Sequence, residues 1–356
     1  SRGLGDVYKR QDNYTSSPKV SFSYRVSIRS TDGSVKNYSE QTMLSYYKNK
    51  DNPNFKSTNY SINFASEEDA DAAIEQYKAD IMQEGDEIVD GSETVIYTLQ
   101  PQASLTVIDQ STGEVKAIVG GRGDKTASKT LNRATDTTRQ PGSTFKILAA
   151  YSAALDAGGL TLASVQDDAP YTYAGANGKS VNNYDRRYRG FTTLREAITD
   201  SINIVTVKTL AQAGVSLGWQ YVQEYGFTTV DSRDMNEALA LGGITQGVSN
   251  LELTAAYAAI ANQGTYIKPK FYTKILDHDG NVLIDNTTPE SHTVIKDTTA
   301  WLLTSAMEDV MTSGTGTSAY FGSSMAQAGK SGTTTSSRDA LFAGYTPYYT
   351  LSLIHI

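Results

Sequence analysis

Ser143 and Lys146 stand three residues apart in a stretch where acyl chemistry could be done. From Ser143 to Leu155 the lysine is the only charged residue, and Phe145, Ile147, Leu148, Ala149, Ala150, Tyr151, Ala153, Ala154 and Leu155 leave almost no polar face. A helix apolar nearly all round is buried, and residues i and i+3 share a helix face. Burial disfavours the charged form of a lysine and pushes its pKa down. A neutral amine beside a hydroxyl is a general base with its nucleophile. The serine also falls at the helix N-terminus, where unsatisfied N–H groups favour a developing oxyanion.

Short motifs match freely, so position decides between copies. Ser-x-x-Lys also occurs at Ser16/Lys19 and Ser45/Lys48, but only the Ser143 copy opens an apolar helix. Ser-x-Asn occurs at Ser57, Ser61, Ser180 and Ser201. Of these, Ser201-Ile202-Asn203 lies between two helical patterns, where a hydroxyl and an amide can point into a cleft, whereas the others read as polar turn or strand residues. Lys330-Ser331-Gly332 is the single Lys-[Ser/Thr]-Gly copy. A phosphate loop ending at Lys330-Ser331 fails, because position 324 is Ser324 instead of glycine and Thr333-Thr334-Thr335 disfavours the helix that should follow.

Composition removes other chemistries. There is no cysteine among the 356 residues, which excludes disulfides, thiolate metal sites and a Cys nucleophile. Only His278, His292 and His355 are available, too few and too scattered for a His-based metal site or a Ser-His-Asp triad. A formal net charge of −8 argues against a nucleic-acid partner. No window approaches the roughly 18 apolar residues of a membrane span.

The elements that must position these residues fall in two blocks. Val20, Phe22, Tyr24, Val26 and Ile28 alternate with polar residues as a half-buried strand. Ser66 with Asp69 caps a helix bearing Ala70, Ala73, Ile74, Tyr77 and Ile81 that should stop near Gly85, and a strand fits Thr94–Leu99. Residues 12–100 thus read as a small α+β module with no visible catalytic chemistry. After Pro101 come a hairpin through Leu105–Val107 and Val115–Val119, the Ser143 helix between Pro141-Gly142 and Gly158-Gly159, and helices at Thr193–Asp200, Asn203–Ala213 and Leu251–Asn262. A hairpin over Met325–Thr350 carries Lys330. Residues 1–11 and 351–356 fit no neighbouring pattern and read as non-native, adaptor-derived tails, so neither is expected in the fold.

Ser-x-x-Lys, Ser-x-Asn and Lys-[Ser/Thr]-Gly, in that order, form the set of penicillin-binding proteins and class A β-lactamases. The chain resembles the transpeptidase domain of class A, bifunctional penicillin-binding proteins over about residues 101–350. The longer matching strings are Arg133-Ala134-Thr135, Arg139-Gln140-Pro141-Gly142-Ser143, Tyr184-Asp185-Arg186-Arg187-Tyr188-Arg189-Gly190, Thr193-Leu194-Arg195-Glu196-Ala197, Leu241-Gly242-Gly243, Gly247-Val248-Ser249, Leu251-Glu252-Leu253 and Gly344-Tyr345-Thr346-Pro347. The resemblance implies an α/β (α+β) fold with an antiparallel sheet flanked by helices, preceded by the module at 12–100 as a connector. The family's final strand and terminal helix would be missing after Thr350, leaving an unpaired sheet edge.

The resemblance also implies roles. Ser143 would attack the penultimate D-Ala carbonyl of a peptidoglycan stem peptide and Lys146 would take its proton. The N–H groups of Ser143 and Thr333 would form the oxyanion hole. Ser201 would relay a proton to the departing amine, and Asn203 would position the substrate amide and Lys146. Lys330, with the strand at Gly332 and the hydroxyls of Ser331, Thr333 and Thr335, would receive the terminal carboxylate. No metal or organic cofactor is implied. The implied partners are stem peptides, β-lactam antibiotics and cell-wall assembly proteins, at the extracytoplasmic face of a bacterial membrane, with the anchor and a glycosyltransferase domain on a longer parent. A D,D-carboxypeptidase, a β-lactamase and a non-catalytic penicillin sensor remain as alternatives; a β-lactamase needs an added carboxylate, for which Glu237 and Glu252 are the candidates.

Overall fold

The computed structural model describes residues 19–49, 62–123, 128–174, 178–334 and 338–356. They divide into two compact units that meet in sequence between Gln102 and Ala103. The expected tail at 1–11 lies outside the described residues.

In the first unit, strand β1 (Lys19–Arg29) pairs with β2 (Val35–Ser39), with the two-residue β3 (Glu87–Ile88) and with β4 (Thr94–Gln100), all antiparallel. Its alternation does what a period of two requires: Phe22, Tyr24, Val26 and Ile28 turn to one face and join a core with Met43, Tyr47, Ala70, Ile74 and Tyr77. Met43 and Tyr47 come from helix α1 (Glu40–Asn49), for which the sequence pattern gives no clear signal. The others come from α2 (Glu67–Ile81), whose first turn is capped by Ser66 Oγ accepting from Asp69 N at 3.1 Å. The helix ends at Ile81, earlier than Gly85 suggests.

The second unit is built on a five-stranded antiparallel sheet. The hairpin β5 (Ala103–Asp109) and β6 (Glu114–Val119) opens the unit, and β7 (Ala328–Thr333), β8 (Ala340–Tyr345) and β9 (Thr350–His355) close it. Across the sheet the order is β7-β8-β9-β5-β6. Residues 351–355 therefore contradict the expected tail, because they run inside the sheet with β8 on one side and β5 on the other. The reason is periodicity: Thr350, Ser352 and Ile354 face the core while Leu351 and Leu353 face outward. The unpaired edge expected after Thr350 is not formed there.

Helices cover the inner face. The Ser143 segment starts as a 3₁₀ turn (Gly142–Thr144), widens to a π turn (Lys146–Tyr151) and finishes as α3 (Ser152–Asp156). A uniform α-helix was the expectation. The widening follows from Ser152, whose N–H and hydroxyl both reach Ile147 O, five residues back. Around it pack α4 (Leu194–Thr199), α5 (Asn203–Ala213), α6 (Val215–Glu224), α7 (Asn250–Ala261) and α8 (Asp297–Thr312). Phe145, Ile147, Leu148, Ala149, Ala150 and Tyr151 are all completely buried in this core. Sequence reading leaves α8 unassigned, although its buried Ala300, Leu303, Met307 and Val310 follow helical spacing.

Candidate active site

The site forms where the Ser143 turn, the α4–α5 junction and β7 meet. Lys146 is completely buried, and its Nζ donates to Ser201 O at 2.7 Å and to Asn203 Oδ1 at 2.6 Å, and lies 3.1 Å from Ser201 Oγ. Lys330 is equally buried; its Nζ donates to Ser201 Oγ at 2.8 Å and to Ser331 O at 3.0 Å. Two lysines thus share one serine hydroxyl. Desolvation, and then the charge of Lys330, hold Lys146 well below the usual lysine range. Desolvation pulls Lys330 down to about 7, so this group, expected as a cation, sits near its midpoint at neutral pH.

A neutral Lys146 has two N–H groups and one lone pair. The carbonyl oxygens of Ser201 and Asn203 can only accept, so they take both hydrogens. The lone pair is left for a hydroxyl. Lys330, Ser201 and Lys146 then line up as donor, relay and acceptor.

Each member is held by local structure. Ser201 has φ +56°, a left-handed conformation uncommon for serine and characteristic of functional turns. Asn203 opens α5, whose N-cap Ile202 offers no side-chain acceptor. Asn183 supplies it: its Oδ1 accepts from Asn203 N at 3.0 Å and Ile204 N at 3.2 Å. Its Nδ2 is anchored in turn on fully buried Asp168, at 2.8 and 3.0 Å. Asn203 Nδ2 donates to Asn182 O at 2.7 Å, which fixes the amide so that its oxygen faces Lys146. Neither Asn183 nor Asp168 emerges from sequence reading, because the cap comes from a distant loop. Asn182 belongs to the Ser180 copy of Ser-x-Asn, read as a plain turn, yet its backbone borders the site.

Ser143 lies on the 3₁₀ turn, and Lys146, three residues on, opens the π turn that follows. The Ser143 hydroxyl has no hydrogen-bond partner among the described residues, and Lys146 is bonded to Ser201 and not to Ser143. Glycines bring the turn against β7. Gly142 has φ +53°, and a Cβ there would lie 2.9 Å from Thr333 O and 3.3 Å from Thr333 N. Gly242, also at positive φ, presses on Gly142 from the other side, where a Cβ would meet Gly142 O at 2.6 Å. β7 is an edge strand, and Thr334 N donates inward to Asp339 O at 3.0 Å. By alternation the Thr333 N–H faces the open edge, toward the Ser143 turn.

Of the other expected residues, Gly332 packs against Thr144 and Pro141, and Thr333 is exposed at the strand end. Ser331 departs from its expected role: its hydroxyl proton goes to Thr315 Oγ1 at 2.8 Å, so it is not a free donor. Thr335 lies outside the described residues. Glu237 accepts from Tyr171 OH and Ala174 N, both at 2.9 Å. Glu252 caps α7 at Ser249 and also holds Thr228. Both carboxylates are spent on structure. Among the described residues no cluster of His, Cys, Asp or Glu could hold a metal ion, and no helix is long and apolar enough to cross a membrane.

Two measurements test this geometry. Gly142→Ala forces a side chain into left-handed backbone and into Thr333, and is expected to destabilise the unit by more than about 1 kcal/mol, read as a lowered unfolding temperature. Both lysines titrate lower folded than unfolded, so from about pH 7 up toward the unfolded lysine value the unfolded chain binds more protons. Stability should therefore rise with pH between about 7 and 9.5. Lys330→Met should flatten that rise; an unchanged slope would contradict the burial.

Residues 103–353 match the family model described as the penicillin binding protein transpeptidase domain. Over 266 residues the chain is 37% identical to penicillin-binding protein 1A of Clostridium acetobutylicum, an alignment covering 72% of this chain and 32% of that protein. It is 40% identical over 255 residues to penicillin-binding protein 1F of Bacillus subtilis, covering 70% and 34%. The crystal structure of penicillin-binding protein 1A from Haemophilus influenzae superposes with a TM-score of 0.64 at 26% identity, over 74% of this chain and 46% of that one. The chain spans about a third of the length of the two sequence relatives.

Proposed function

This chain belongs to the penicillin-binding protein transpeptidase family, and we propose that it acts as a serine D,D-transpeptidase on peptidoglycan stem peptides ending in D-Ala-D-Ala. The observation that carries the reading is the buried Lys146, its charged form disfavoured by its surroundings, bonded to Ser201 and Asn203, and three residues from a Ser143 hydroxyl without a partner among the described residues.

Ser143 Oγ attacks the penultimate D-Ala carbonyl, and its proton passes to the lone pair of Lys146. The carbonyl oxygen, now negative, is received by the N–H groups of Ser143 and Thr333, which the Gly142 contact brings together. As the tetrahedral centre collapses, the proton moves from Lys146 through Ser201 to the departing D-Ala amine. Lys330 stands behind Ser201, and its proton assists that transfer and attracts the terminal carboxylate. An acceptor amine then attacks the ester, forms the cross-link and regenerates Ser143. Thr333 and Thr335 are assigned to the carboxylate alongside Lys330, while Ser331 orders the strand through Thr315.

The engagement of Glu237 and Glu252 favours this reading over a β-lactamase, since neither is free to activate a deacylating water. β-Lactams are proposed to acylate Ser143 as substrate mimics. A longer parent with a glycosyltransferase domain, a membrane anchor and an extracytoplasmic location belongs to the same proposal. The test offers a D-Ala-D-Ala pentapeptide with and without an amine acceptor. Amide cross-linking with release of D-Ala is expected; hydrolysis alone would point to a carboxypeptidase, and no release would overturn the reading.

A further inference from the structure

Outside the lysine cluster, one ion pair joins the nucleophile's turn to the end of the strand facing it. Arg139, four residues before Ser143, donates from Nε to Asp339 Oδ1 at 3.0 Å, and its Nη2 lies 2.9 Å from the same oxygen. The Asp339 side chain is only 7% exposed, that of Arg139 40%. Asp339 is also bound to Thr334, at the end of β7. Its N donates to Thr334 Oγ1 at 2.9 Å, its carbonyl accepts from Thr334 N at 3.0 Å, and its Oδ2 accepts from Thr334 Oγ1 at 3.3 Å. Thr334 directly follows Thr333. At the other end the Arg139 backbone is fixed: it exchanges two hydrogen bonds with Val248, at 2.9 and 2.8 Å. Gly247 sits so close that a Cβ there would come within 2.6 Å of the Arg139 carbonyl.

A partly exposed ion pair contributes little to stability, whereas a guanidinium fork anchored at its own backbone fixes distance and direction. The pair spans the two segments that carry the amides facing the substrate oxygen. We propose that Arg139 and Asp339 are positioning residues that set the separation of the Ser143 and Thr333 N–H groups. The inference rests on the transpeptidase reading. Small misplacements of reacting groups cost up to about 100-fold in rate, and loss of one oxyanion donor about 100- to 1,000-fold. A loosened clamp should stay within the first of these ranges.

The test compares the present chain with Arg139→Ala, Arg139→Lys and the isosteric Asp339→Asn, which guards against a simple folding failure. Benzylpenicillin acylation is followed at graded concentrations to separate the acylation rate constant from binding, and the ester carbonyl stretch of the acyl-enzyme is recorded by infrared difference spectroscopy. Arg139→Ala and Asp339→Asn are expected to acylate roughly 10- to 100-fold more slowly with half-saturation little changed, and Arg139→Lys to recover part of the rate. Because hydrogen bonds to the carbonyl lower its stretching frequency, the stretch should move up in the slow variants. Variants that acylate at the unmodified rate with an unshifted stretch, or whose loss merely follows a drop in unfolding temperature, would overturn the clamp alone. An unmodified chain that takes no acyl group would overturn the transpeptidase reading and the clamp with it.

Discussion

Ser143→Ala is expected to abolish covalent labelling by a fluorescent penicillin, with intact mass showing no adduct where the unmodified chain gains one on Ser143. The expectation needs argument, because Ser201 and not Ser143 is the hydroxyl in hydrogen-bond contact with Lys146. Ser201 is 8% exposed and already faces two lysines, which fits a relay. Ser143 has a hydroxyl free of partners among the described residues and stands at the start of a helix, beside the outward-facing Thr333 N–H. Under the proposed mechanism it is at Ser143 that nucleophile and oxyanion donors meet. Stoichiometric labelling of the Ser143→Ala chain, or an adduct mapped to Ser201, would assign the chemistry to the wrong serine.

Lys146→Ala should leave the fold intact and slow acylation by about 10² to 10⁴, the usual value of a general base. The amine is held by three contacts to the α4–α5 junction, so its removal leaves Ser201 O and Asn203 Oδ1 without their donor. That loss is offset in part because the substitution also removes an amine whose burial is unfavourable when charged. In the unmodified chain acylation should persist well below the pH at which an exposed lysine loses its proton, since burial and the charge of Lys330 lower the pKa of Lys146. Acylation at the unmodified rate in Lys146→Ala would remove the base from the mechanism.

The candidate set was legible because its spacing is local or its strings are long. Ser143 and Lys146 share a turn, and Lys330 lies in a strand whose glycine and hydroxyl pattern occurs once. The alternation of Val20 to Ile28 and the exact span of α5 were likewise readable from side-chain period alone. What was hidden depends on contacts between distant segments. Asn183 caps α5 from a loop 20 residues earlier, across α4, and although the Tyr184–Gly190 string begins beside it, no local spacing marks the contact. Gly242 and Gly247 lie in strings that carry the resemblance, but that they admit the backbone of residues 142 and 139 shows only in the fold. The strand at 350–355 was misread because its ending looked unrelated to what precedes it, although Thr350, Ser352 and Ile354 alternate with leucines as a strand should.

The placement of that strand has a kinetic consequence. Gln110 and Thr350, which share a hydrogen bond, are 240 residues apart in sequence. The opening hairpin therefore waits for a partner made almost a full unit later. Loop closure of that length is paid before any pairing rewards it, which slows folding and prolongs the exposure of bare strand edges. During synthesis β5 and β6 should emerge early and remain sticky, so that a holdase, or a slow ribosome, would matter most for this half of the sheet.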